Sequence, residues 1–123
     1  MNKWDIVLVS YPFTDGLTMK VRPAIVISPN LFHKSGPDAL FMFITSNTDR
    51  QASHDVFIST THQEFLKTGL RKESAIRVSK IMTLSKSLVK KTIGSIGVQL
   101  SLNIESKLRM FLELPPYQPP LPG

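Results

Sequence analysis

Arg22 and Thr45 are the two residues whose types and spacing suggest shared chemistry in this chain. Residues 22–28 (R-P-A-I-V-I-S) and 39–45 (A-L-F-M-F-I-T) both read as strands, and a symmetric hairpin that pairs Ser28 with Ala39 sets Arg22 across from Thr45. Directly opposed residues hold their Cβ atoms about 4.5–5.5 Å apart, close enough for a guanidinium fork and a hydroxyl to converge on one phosphate. The connecting stretch is long, so a slip of two residues stays open. Two ordinary readings also stand at this point: an arginine opening a strand commonly makes a surface ion pair, and a threonine closing one is simply a good β-residue.

Other chemistries find less to work with. The chain has no cysteine, which excludes a thiolate nucleophile and a disulfide framework and makes a cytosolic protein the default. His33, His54 and His62 lie in separate polar segments without ligand spacing, so surface or loop roles are expected of them, with no metal and no cofactor. Nothing couples a serine to a histidine base, and no carboxylates pair at a recognisable spacing. Gly94 and Gly97 form a bare G-x-x-G without the Lys and Ser or Thr of a phosphate loop.

The elements that must position Arg22 and Thr45 are short strands separated by punctuation. Residues 5–10 (D-I-V-L-V-S) are nearly continuous in apolar character and read as a well-buried strand, followed by a loop carrying Pro12, Asp15 and Gly16. Pro23 cannot donate to a ladder, so it belongs among the first residues of the second strand or on an edge. Pro29 and Asn30 end that strand, and residues 34–38 read as a loop. Further strands are expected at 55–59, 74–79 (with Arg77 on the wet face), 81–84 and 92–96, and a helical turn at 62–67 stopped by Gly69. Ser101 reads as the cap of a closing helix whose Ile104, Leu108, Phe111 and Leu112 share a face, and Pro115 and Pro116 stop it. This pattern argues for a mainly β fold: a small, strongly bent antiparallel sheet or barrel, capped by the helix, in one domain over residues 1–114 with a Pro-rich tail at 115–123.

At 123 residues, with 41% apolar and 20% charged residues, the composition suits one globular core. No apolar run approaches the ~20 residues of a spanning helix, and the first residues lack the order of a signal peptide. The net charge of +6 is concentrated: residues 67–91 hold eight cations (Lys67, Arg71, Lys72, Arg77, Lys80, Lys86, Lys90, Lys91) against one acid, Glu73. Such a bias draws phosphate backbones with salt-dependent, sequence-blind affinity. It is equally compatible with an acidic protein partner or a solvated surface.

At these same residues the chain resembles a known family. D-I-V-L-V (5–9), R-P-A-I-V-I-S (22–28), F-I-T-S-N (43–47), G-L-R-K-E-S-A-I-R-V-S-K-I-M-T-L (69–84) and I-G-S-I-G (93–97) leading into a last helix are similar to the PemK/MazF toxins of type II toxin–antitoxin systems, over residues 4–112. The resemblance implies an SH3-like antiparallel barrel with short helices and a C-terminal helix, a homodimer, and sequence-specific, metal-independent cleavage of single-stranded RNA. In that reaction the ribose 2′-hydroxyl attacks the adjacent phosphorus, leaving a 2′,3′-cyclic phosphate and a 5′-hydroxyl. It further implies a cognate antitoxin whose flexible acidic segment occupies the RNA groove.

Carried over residue by residue, Arg22 and Thr45 match the catalytic pair, and Ser46, Asn47, Ser74 and Lys80 match RNA-binding positions. Arginine is a poor general base, so Arg22 is expected to act as a bidentate clamp on the charge that builds at phosphorus, with Thr45 donating to a nonbridging oxygen. In the loop from Tyr11 to Lys20, Tyr11 and Phe13 could stack on bases and Lys20 could hold a phosphate; Tyr11 and Phe13 could equally close the barrel end. Trp4 stands where a glycine commonly precedes the aspartate, and Lys80 replaces what is often a neutral amide. The rival readings are a non-catalytic toxin of the same fold that binds a protein target such as a topoisomerase, and a nucleic-acid-binding barrel without turnover.

Overall fold

A computed structural model of the protein describes residues 1–12, 19–49 and 52–116. Among these residues six strands form one curled antiparallel sheet in the order β4-β5-β3-β2-β1-β6. They are β1 (Asp5–Pro12), β2 (Met19–Val26), β3 (Asp38–Thr45), β4 (Val56–Ile58), β5 (Ser74–Ser85) and β6 (Val89–Ser95). Among the described residues three α-helices accompany them, α1 (Asn30–Ser35), α2 (Phe65–Thr68) and α3 (Val98–Phe111), with a 3-10 turn at Lys86–Leu88. No described helix is long and apolar enough to cross a membrane. The mainly β, bent-sheet architecture with a C-terminal helix matches the expectation; the described strands make a half-barrel, with β4 and β6 as its two edges.

Alternate residues of a strand point to opposite faces, and here both faces of the central strands are covered. Ile6, Ile25, Met42, Ile44 and Ile76 pack with Leu100 and Ile104 of α3 on one side. Val7, Val9, Ala24, Val26, Phe41 and Phe43 form a second buried cluster on the other, against Leu84, Leu88 and Val89. Burial on both sides is why residues 5–10 and 39–45 read as apolar runs rather than as alternating strands.

The β2–β3 register is the symmetric one: Ala24, Ile25 and Val26 face Phe43, Met42 and Phe41. Of the two expected placements for Pro23, the structure shows the edge: it lies inside β2, whose first residue is Met19. Its missing N–H explains how this is tolerated. β2 pairs with β1 along its whole length, but with β3 only from Ala24 onward, so at Pro23 the strand is locally an edge.

Two expected strands, 74–79 and 81–84, are one continuous β5. Met42 faces Ile81 and Ile44 faces Ile76, so the single residue Phe43 on β3 stands opposite four on β5, from Arg77 to Lys80. This bulge bends the strand and re-aims its side chains.

Further corrections concern the helices. Residues 30–35, expected as a strand end and loop, form α1, which buries His33 at 2% exposure instead of leaving it on the surface. His33 Nδ1 lies 2.9 Å from Ser28 Oγ, and Nε2 lies 3.2 Å from the Met1 carbonyl oxygen. Because a carbonyl can only accept, Nε2 is the donor to Met1. α2 ends as expected at Gly69, whose φ of 74° is left-handed.

α3 begins at Val98 after Gly97, upstream of the expected Ser101 cap. Its cap comes from far away in sequence: Glu64 accepts the N–H groups of Gly97 (2.7 Å), Gln99 (2.9 Å) and Leu100 (3.3 Å). A Cβ on Gly97 would lie 2.8 Å from the Glu64 carboxyl carbon, so the glycine admits the cap. Glu64→Ala should therefore cost about 1–3 kcal/mol, readable as a lower urea midpoint at unchanged m-value. The apolar stripe of α3 is also shifted: Leu100 and Ile104 are buried and Leu108 is half-buried, whereas Phe111 and Leu112 are exposed.

Trp4 has a φ of 74°. A left-handed backbone is what glycine adopts without cost, so a tryptophan here is unusual. Here the indole packs against the main core and lies under Lys3 Nζ, 4.9 Å from the ring centroid.

Candidate active site

The β2–β3 ladder stops at the Ala24–Phe43 pair, and below it the two strand ends continue without pairing each other. Arg22 stays in register with Val9 of β1, and Thr45 with Ala75 of β5. Each is thus held by its outer neighbour while the strands part between them. The proline after Arg22 supplies no N–H to extend the ladder across this gap.

Two hollows open around the parted ends. One, of about 430 Å³, is lined by Tyr11, Arg22, Phe43, Ile44, Thr45, Arg77, Lys80 and Met82. The other, of about 300 Å³, is lined by Lys20, Arg22, Thr45, Ser46, Arg71, Lys72 and Ser74 among others. Arg22 and Thr45 belong to both, so they sit on the ridge between two halves of one cleft. Among the described residues neither hollow has an acidic residue in its lining, whereas Lys20, Arg22, Arg71, Lys72, Arg77 and Lys80 contribute cations. Clefts lined by one sign of charge concentrate counter-charged ligands.

Thr45 is prepared to donate. Its Oγ1 accepts the Asn47 N–H at 3.1 Å, which fixes the oxygen and directs the hydroxyl hydrogen elsewhere. Asn47 is itself exposed; its Oδ1 accepts from Asp49 N–H at 3.2 Å. Ser74 lines the second hollow but is buried at 3% exposure, and its hydroxyl donates to the Lys72 carbonyl at 3.0 Å. Its local work is to shape the turn that carries Arg71 and Lys72. Tyr11 rests on Phe43, with ring centroids 4.8 Å apart, and both line the larger hollow. Phe13 lies outside the described residues.

Of the residues singled out from the sequence, Lys20, Arg22, Thr45, Ser46, Ser74 and Lys80 are therefore brought to one cleft. The cations of residues 67–91 do not act as a single patch. Arg71, Lys72, Arg77 and Lys80 reach the cleft, while Lys86 turns away and donates to the His33 carbonyl. Lys91 lines a third hollow of about 460 Å³, which adjoins the second through Pro23, Leu70 and Arg71.

The arrangement, a guanidinium and a donor hydroxyl on parted strand ends inside a cationic cleft, is one that can grip a phosphodiester. Comparison with known proteins gives it a family. The description of PemK-like, MazF-like toxins of type II toxin–antitoxin systems matches residues 2–112. The chain belongs to that family.

Solved structures agree on the fold of this PemK/MazF-like toxin. A mycobacterial endoribonuclease in complex with its cognate antitoxin is similar with a TM-score of 0.73 at 17% identity, over 94% of this chain and 97% of that one. The Mycobacterium tuberculosis toxin MazF-mt6 gives 0.72 at 15% identity, over 90% and 98%. A chain of the MazE–MazF structure (form III) from Deinococcus radiodurans gives 0.74 at 13% identity, over 94% and 98%. No curated protein matches the sequence.

In the sequence of this PemK/MazF-like toxin, Arg77 stands out only as one of eight clustered cations on a wet strand face; the structure places it in the larger hollow, bonded to the buried Asp55. The alternation of residues 74–79 puts Arg77 on the outer face, but nothing local reveals the bulge that turns this stretch toward Arg22.

Proposed function

We propose that the protein is a toxin endoribonuclease, an mRNA interferase that cuts single-stranded RNA at particular short sequences in the cytoplasm. The RNA supplies its own nucleophile. As the O2′–P bond forms the 2′-hydroxyl loses its proton, and as the P–O5′ bond breaks the departing O5′ takes one up, leaving a 2′,3′-cyclic phosphate and a 5′-hydroxyl. Arg22 clamps the nonbridging oxygens and Thr45 donates to one of them, stabilising negative charge that is greatest in the transition state. The observation that carries this reading is the shared position of Arg22 and Thr45 in a cleft whose described lining is cationic, with no acidic residue among it.

Lys20, Lys80, Ser46 and Asn47 then hold flanking nucleotides, Ser74 shapes the turn beneath them, and Tyr11 and Phe13 offer rings to splayed bases. Family membership supports a homodimer and a cognate antitoxin whose acidic, flexible segment fills the cationic cleft. The solved endoribonuclease with its cognate antitoxin supports the same pairing.

The test is incubation of purified protein with a mixed-sequence RNA and its all-deoxy counterpart in EDTA. Cuts confined to RNA, recurring at one short motif and ending in cyclic phosphate, are the expected result. Binding without cutting would favour a non-catalytic barrel, and dependence on added metal would remove the proposed mechanism.

A further inference from the structure

We propose that Arg77, held by the buried carboxylate of Asp55, is a second guanidinium of the substrate cleft and binds a phosphate adjoining the scissile one. This rests on the endoribonuclease reading and adds a substrate-binding residue to it. Three observations converge. Arg77 lines the same hollow as Arg22 and Thr45. It sits in the β5 bulge, where four residues oppose one, a device that re-aims a side chain rather than stabilising a ladder. It is also fixed at both ends of its fork: Nη1 donates to Asp55 Oδ2, and Nη2 donates to the Asn47 carbonyl at 3.3 Å, two residues beyond Thr45.

The anchor is costly in itself. The Asp55 side chain is 1% exposed. Its Oδ2 also accepts the Ala52 N–H at 2.9 Å, while Oδ1 is buried with no hydrogen-bond partner among the described residues. A buried ion pair contributes little net stability over an apolar pair of the same size, and an unsatisfied carboxylate oxygen makes the balance worse. What the pair does provide is a guanidinium locked in place before substrate arrives. A pre-oriented guanidinium loses less entropy on gripping a phosphate than the exposed, flexible Lys80 does. Asp55 is then a positioning residue, and Arg77 a substrate-binding one.

Removing Arg77 alone would strand the Asp55 charge and risks unfolding the protein, so the informative variant removes both charges: Asp55→Asn with Arg77→Met. Binding of an RNA carrying a single 2′-deoxyribose at the cut site, followed by fluorescence anisotropy across a salt series, reads the phosphate contact directly. For a double variant with a wild-type melting profile, we expect affinity about tenfold weaker at low salt. The slope of log Kd against log salt should be shallower by about 0.7, the change for one phosphate contact on a single strand. On cleavable RNA the loss in kcat/KM should be carried by KM. Arg77→Lys, which keeps the charge but loses the fork, should retain the slope and still bind more weakly.

An unchanged slope and affinity in the folded double variant, with the wild type cutting RNA normally, would overturn this inference alone and reduce the pair to a structural one. RNA that the wild type neither binds nor cuts would overturn the endoribonuclease reading together with it.

Discussion

Arg22→Ala should abolish RNA cleavage while leaving the fold intact. The side chain is half-buried on the part of β2 that does not pair with β3, and it belongs to neither core cluster. The catalytic effect is expected to be large because one group supplies both charge and geometry. A guanidinium placed on a transferring phosphoryl group is worth about 10³–10⁵ in rate, or about 4–7 kcal/mol of barrier. Arg22→Lys keeps the charge without the fork and should recover only a fraction of the rate. Single-turnover cleavage of a short RNA at saturating enzyme separates this from a binding defect. Activity of the folded Arg22→Ala variant within tenfold of wild type would remove Arg22 from the chemical step.

Thr45→Val is the second large effect. The substitution keeps the β-branched shape at the end of β3 and deletes only the hydroxyl. The Asn47 N–H loses its acceptor, but Asn47 is exposed and water can replace it, so stability should change by less than about 1 kcal/mol. Loss of one donor aimed at a developing oxyanion costs about 2.7–4 kcal/mol, or roughly 10²–10³ in kcat. Thr45→Ser restores the hydroxyl and should return most of the rate. Equal rates for the Val and Ser variants would show that the hydroxyl is not used. In Arg22→Ala/Thr45→Val the two losses should not add, since both groups act on one charge.

Much of this site was legible because it depends on local rules. The symmetric pairing of residues 22–28 with 39–45 follows from two apolar runs of equal length, and it survived the insertion of an unexpected helix, α1, between them. Pro23 announced a break in hydrogen bonding, and the break is where the β2–β3 ladder ends. Gly69 announced the left-handed end of α2. What could not be read depends on partners remote in sequence. Glu64 caps α3 across more than thirty residues, so the helix starts before the nearest serine suggests. His33 is buried because Ser28 and the Met1 carbonyl satisfy both ring nitrogens, a condition no local pattern states. Arg77 belongs to the cleft because of a bulge opposite Phe43 and a carboxylate at Asp55, neither of which leaves a mark in residues 74–79.

The central claim is that Arg22 and Thr45 act on a phosphate attacked by the 2′-hydroxyl of its own strand. Its most direct test is a single atom in the substrate. An RNA whose mapped cut site carries one 2′-deoxyribose, immediately 5′ of the scissile phosphate, should bind with nearly unchanged affinity and remain uncut there, while neighbouring copies of the motif in the same strand are still cleaved. Cleavage at the deoxy position at a rate comparable to the all-ribose strand would contradict the account, because the nucleophile would then have to come from elsewhere.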